Sequence, residues 1–236
     1  MKSTGIVFKQ REFFGSDPGT IYEDVSRYKN VCTPTNLDYT QLPSGLWVPT
    51  FDGSAYVTIA DDPAFNWTTT LSIGAWIKKD DLVGTEAIVS KWNSSESRRE
   101  WNLQIVTQKL QVAFGNPNTG AFEGTWSSDD NVIASTGIWY HVAATYDGVL
   151  AAAERVKLYV DGTAVAGSLA SGVIPATLYN GTANVLIGAR TAVSIQDFFS
   201  GSIDNTVIYD CIADVPATFM AALYNSQAGL YGKALI

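Results

Sequence analysis

The sequence predicts an all-β protein, a two-sheet antiparallel β-sandwich with one short helix near the C-terminus. Three observations lead there. Turn signals break almost the whole chain into short runs rich in β-branched and aromatic residues. Several of those runs alternate apolar and polar residues with the period of a strand. Helical periodicity shows only once, close to the end. About a dozen short strands with a single helix make a sandwich or jelly roll rather than a layered α/β fold.

Taken in chain order, the strands are expected at "AYVTIA" (55–60), "LSIGAWIKK" (71–79), "EAIVSKW" (86–92), "WNLQIV" (101–106) and "KLQVAF" (109–114). They continue at "WYHVAATY" (139–146), "RVKLYV" (155–160), "ANVLIGA" (183–189) and "GSIDNTVIY" (201–209). In "KLQVAF", Leu110, Val112 and Phe114 share one face while Lys109 and Gln111 point the other way. In "RVKLYVDGTAV" the pair Asp161-Gly162 lies between two β-branched runs, a strong hairpin signal, because a type I′ turn needs positive φ at both central residues. In "DVPATFMAALYN", Asp214 is a candidate N-cap, Pro216 fits the first turn, and Phe219, Met220 and Leu223 form the apolar stripe.

A chain of 236 residues, 46% hydrophobic and 16% charged, has material for a sizeable core and too little charge for a disordered polymer. No linker, charge block or internal repeat divides it, so one domain over residues 1–236 is expected. No stretch approaches the ~18 consecutive apolar residues of a membrane helix, so membrane insertion is not expected. A net charge of −8 and a pI near 4.5 repel phosphate backbones and argue against nucleic acid as a partner. The opening "MKSTGIVFKQREFF" has no secretory apolar segment. The chain is therefore expected where it is made, or on a virion surface or outside the cell after release with a particle. Cys32 and Cys211 are far apart, and two thiols do not make a disulfide framework, so their pairing stays open.

Four segments in order resemble the laminin-G-like branch of the concanavalin A-like jelly-roll superfamily: "FDGSAYVTIADDPAF" (51–65), "LSIGAWIKK" (71–79), "WYHVAATYDG…VKLYVDG" (139–148 and 156–162) and "VLIGAR…FSGSIDNTVIYD" (185–190 and 199–210). "GIVFKQREFF" resembles the family's first strand, and "YEDVSRYKN" its Asp-Ser-x-x-x-Asn turn. The resemblance implies a sandwich used mainly for recognition of glycans or protein surfaces, mostly non-catalytic, and often carrying Ca²⁺ at its edge. On that analogy Asp24 and Asp204 match acidic positions of the family and, with Asn30, are the candidate Ca²⁺ ligands, since a hard cation collects oxygens. The alternative is that Asp24 caps a turn through its own backbone and Asp204 holds a neighbouring N–H.

His141 is the only histidine. Strand parity places it with Trp139, Ala143 and Thr145 on one face. A general base needs a partnered nucleophile and zinc needs several His or Cys ligands, so the expectation is a packing residue. No alternating acid pair suits a glycosidase, and Glu96 and Glu100 read as part of a solvated loop, "NSSESRRE". Asp52-Gly53 and Asp147-Gly148, like Asp161-Gly162, read as tight turns. The expected glycan contacts are the rings of Trp92 and Trp126, placed in polar, turn-rich segments, with Asn116, Asn118, Asp129 and Asn131 close in sequence. The bland alternative is that both rings fold back on their own loops. Trp76 and Trp139, inside strands, are expected in the core. Two functions of different class follow: a lectin-like module for a glycan or a cell or particle surface, or a structural bacteriophage component, such as a capsid decoration or a tail or fibre protein, with homo-oligomeric or particle assembly. Glycoside hydrolysis is the third.

Overall fold

The computed structural model describes residues 5–210 and 217–236. Two antiparallel sheets face each other. The nine-stranded sheet runs, in order, Thr163–Val165, Val156–Val160, Trp139–Asp147, Thr70–Lys79, Ser200–Tyr209, Leu46–Asp52 and Phe13–Phe14. Ile6–Lys9 adds to Ser200–Tyr209, and Asp38–Gln41 to Leu46–Asp52. The ten-stranded sheet runs Gly167–Gly172, Phe122–Ser128, Lys109–Gly115, Arg98–Val106, Thr85–Asn93, Val185–Ile187, Tyr56–Ile59 and Cys32–Thr35, with two short strands off this path. Each of the nine runs expected between turn signals contains a strand, that of 183–189 only over Val185–Ile187.

The period of two sorts the side chains. From the ten-stranded sheet Trp101, Leu103, Ile105, Leu110, Val112 and Phe114 enter the space between the sheets, where they meet Ile73, Ile77, Val142, Tyr146 and Ile203 of the other. The Asp161-Gly162 hairpin forms as expected, with φ of 47° and 74° at its central residues. The Asp161 carboxylate then accepts the His141 backbone N–H at 2.9 Å.

The nine-stranded sheet buries its outer face as well. The helix Ala217–Gln227 and the turn Ala228–Tyr231 lie over Trp76 and Trp139. The Tyr231 ring stacks 4.2 Å from Trp76, Tyr224 lies 5.4 Å from it, and Trp76 Nε1 donates to Gln227 Oε1 at 2.7 Å. Trp76 and Trp139 are thus buried, but in a second layer outside the main core. The buried helix positions are Met220, Tyr224, Gln227 and Ala228, whereas Phe219 is exposed and lies edge-on to Tyr209. The stripe predicted from sequence is rotated by one position, because the helix turns Tyr224 and Gln227 to the sheet. The proposed caps Asp214 and Pro216, and Cys211 with any pairing to Cys32, lie outside the described residues.

Two sequence expectations fail locally. Trp126 is not in a loop: it sits inside the strand Phe122–Ser128, which pairs on both sides. Nor is Glu100 solvated. Trp92 and Glu100 belong to the paired strands Thr85–Asn93 and Arg98–Val106, and only the turn between those strands is exposed.

Candidate ligand-binding face

Core residues on the central strands of the ten-stranded sheet leave the alternate positions pointing outward. Those positions are polar. Asn102 Nδ2 donates to Gln104 Oε1 at 2.6 Å, Gln104 Nε2 to Gln111 Oε1 at 3.3 Å, and Gln111 Nε2 to Ser127 Oγ at 3.2 Å. This row crosses three neighbouring strands. Asn102 is 1% exposed, and its Oδ1 has no donor among the described residues. A buried amide oxygen without a donor is costly, and a bound hydroxyl or N–H would relieve it.

Asn102 and Gln104 of this row line a groove of about 240 Å³ together with Trp92, Arg99, Phe122 and Arg190. Trp92 Nε1 donates to Ser94 Oγ at 3.1 Å, and the Arg99 guanidinium lies 5.9 Å from the ring centroid. With 5% of its surface exposed, Trp92 is a wall of the groove rather than an open platform. Phe122 is the open ring, 46% exposed, and sequence reasoning missed it. Its signal is a large apolar residue facing solvent beside outward-facing Asn and Gln in neighbouring strands.

The other sequence candidates divide. Asn116 folds the end of the Lys109–Gly115 hairpin: its Oδ1 accepts from Asn118 N and Thr119 N, and its Nδ2 donates to Glu123. Asn118 is exposed in that same turn. Asp129 and Asn131 follow the far end of the strand Phe122–Ser128, on the order of 20 Å away for seven extended residues. Asp129 there accepts from Ser168 Oγ. Trp126 points into the sandwich, 8% exposed, and borders a separate groove of about 570 Å³ with Val156, Leu158 and Val165. That groove is larger and its rim carries Glu154 and Lys157, but its one aromatic ring, Trp126, is buried. The smaller groove combines an open ring with convergent polar groups, the pairing that orients a polar ligand. Trp92 and Trp126 therefore do not share a site.

Residues 51–214 match the laminin G group of the concanavalin A-like lectin/glucanases superfamily. The chain belongs to that superfamily. Solved structures share its sandwich at low identity. The binding domain of Paraclostridial Mosquitocidal Protein 1 aligns at a TM-score of 0.68 and 12% identity, over 97% of this chain and 55% of that one. The binding domain of botulinum neurotoxin DC in complex with SialylT gives 0.63 and 14%, over 94% and 51%. Domain 4 of AbnA, a GH43 extracellular arabinanase from Geobacillus stearothermophilus, in complex with arabinotriose, gives 0.61 and 16%, over 85% and 91%. The chain spans about half the length of the toxin binding domains. At these identities the likeness is one of fold. No curated protein matches the sequence.

This laminin-G-like sandwich does bring its first and last described strands together, as Ile6–Lys9 pairs with Ser200–Tyr209. The candidate Ca²⁺ ligands still do not converge. The Asp24 carboxylate accepts five hydrogen bonds, from Lys9 N, Ser26 N, Ser26 Oγ, Asn30 N and Asn30 Nδ2, at 2.6–3.0 Å. Asn30 offers Asp24 its NH₂ rather than its oxygen. Asp204 lies beyond Gln10, which donates to one carboxylate oxygen while Tyr231 donates to the other. Burial pushes the Asp204 carboxyl up to about 7, against the pull of those donors. A cation needs oxygens where this arrangement presents N–H and O–H groups, so the set does not fit Ca²⁺. Among the described residues no group of three His, Cys, Asp or Glu is placed to hold a metal.

The acids nearest each other are equally occupied. Lys91 Nζ, fully buried, binds Asp61 at 2.7 Å and Glu100 at 2.6 Å, and reaches the carbonyls of Gly181 and Ala183. Burial pushes Glu100 upward against the attraction of Lys91. With Glu100 1% exposed and both carboxylates bound to one ammonium, the pair cannot flank a glycosidic bond. His141 is 2% exposed beneath the C-terminal helix, its ring 5.4 Å from Trp76, and its Nδ1 has no partner among the described residues.

Proposed function

We propose that this chain is a non-catalytic recognition module that binds a glycan on the outer face of its ten-stranded sheet. The observation that carries this reading is the exposed Phe122 ring beside the amide row Asn102–Gln104–Gln111. A pyranose has an apolar face that packs on such a ring and hydroxyls that both donate to and accept from side-chain amides. Fold relatives support it: a sandwich of the same kind has been solved with arabinotriose, and others are the binding domains of toxins. The test is a glycan array followed by titration of the hits. Phe122→Ala, which removes an exposed ring from a sheet surface, is expected to weaken every hit roughly tenfold or more while leaving the melting temperature close to wild type. Hits that survive Phe122→Ala unchanged place the site elsewhere, and the groove beside Trp126 is then the next to probe.

A further inference from the structure

The groove also carries a charge that no described residue neutralises. Arg98 is paired with Glu96, and Arg190 with Asp197. The nearby Glu123 receives the amide of Asn116. Arg99 lies between them without an ion-pair partner among the described residues. Two of its N–H groups reach backbone carbonyls, of Ser94 at 3.0 Å and Gly120 at 3.4 Å, and its plane faces Trp92. A guanidinium has five N–H donors, so more than half of them are unspent. Its side chain is half-buried, and burial first, then the charge of Arg190, lowers its affinity for its proton.

Resting on the glycan reading above, we infer that the ligand is an acidic sugar, whose carboxylate pairs with Arg99 while a hydroxyl donates to Asn102 Oδ1. The two unmet needs of the groove are opposite in kind, an anion for Arg99 and a donor for Asn102. An acidic monosaccharide carries both on one rigid ring. A neutral sugar meets only the second, and a simple anion only the first. A planar guanidinium also takes a carboxylate through two parallel N–H groups, which adds direction to charge. The protein's overall −8 charge opposes any anion at long range, so the preference has to arise from this local pairing.

The experiment compares matched pairs by calorimetric titration: trigalacturonate against its methyl ester, and 3′-sialyllactose against lactose. These arms separate a uronic from a sialic source of the carboxylate. Wild-type protein is expected to bind the acid of at least one pair roughly tenfold or more tightly than its neutral member. Arg99→Gln is expected to erase that preference, Arg99→Lys to retain part of it, and Phe122→Ala to weaken acid and neutral sugar alike. Arg99 also braces the Ser94 and Gly120 carbonyls, so the wild-type comparison of acid with ester decides the matter even if the variants fold poorly. Equal affinity for acid and neutral members, both dependent on Phe122, overturns the acidic preference and leaves the glycan site standing. A preference that survives Arg99→Gln in a folded variant overturns the assignment to Arg99. No binding by any member overturns the acidic preference, and the glycan array then decides whether the glycan reading stands.

Discussion

The two sheets treat their outer faces in opposite ways. On the nine-stranded sheet Trp76, Trp139 and His141 look outward and are covered by the C-terminal helix. On the ten-stranded sheet Asn102, Gln104, Gln111 and Ser127 look outward, and no helix among the described residues covers them. One face extends the hydrophobic interior by a layer. The other satisfies its polar groups among themselves and keeps a few unmet. The strands alternate alike in both sheets, so what separates a stabilising face from a contacting one is side-chain chemistry.

The largest effect should come from opening the covered face. Trp76→Ala removes a fully buried indole, two aromatic stacks and the hydrogen bond to Gln227. It is expected to cost about 3–5 kcal/mol in chemical unfolding; a loss below 1 kcal/mol would mean that the helix contributes little as a cover. Next comes acid sensitivity on the same face. Burial lowers the His141 pKa from 6.5 to about 4. Between those values the unfolded chain takes up a proton that the folded chain refuses, so stability is full above pH 6.5 and falls as pH drops. A shift of that size corresponds to about 3 kcal/mol between wild type and His141→Gln over pH 7 to 4. Parallel pH curves for the two proteins would show that the imidazole is not held neutral. The smallest effect belongs to the open face: Gln104→Ala and Gln111→Ala are expected within about 1 kcal/mol of wild type in stability. A larger loss would make the amide row a structural brace rather than a contact surface.

Much of the architecture was legible because it rests on period two. Leu110, Val112 and Phe114 alternate with Lys109 and Gln111, and both the strand and its inward face follow. The strand Phe122–Ser128 was not legible, since Gly124 and Trp126 are its only inward positions besides serine and its one other large apolar residue, Phe122, faces solvent. The edge strand Gly167–Gly172 is exposed nearly throughout, and its single large apolar residue, Leu169, makes no alternation. For the candidate site, proximity in sequence misled. Asn116 and Asp129 bracket Trp126 in the chain but stand at opposite ends of a strand. The groove instead gathers Trp92, Asn102, Ala113, Phe122 and Arg190, which are neighbours only through strand pairing. A trace of it was present, since the polar positions of "WNLQIV" and "KLQVAF" fall on one common face.

Residues 233–236 are tied back to the fold by hydrogen bonds although they are largely exposed. Asn225 and Ile236 exchange two hydrogen bonds, Tyr224 donates to the Ala234 carbonyl, and Lys233 reaches Asp161 at 2.7 Å. Ile236 therefore rests beside the hairpin at Gly162, on the reverse of the molecule from Phe122. A biotin or linker joined after Ile236 would anchor the sandwich by its back to a bead or sensor chip, presenting the amide-lined side to whatever flows past.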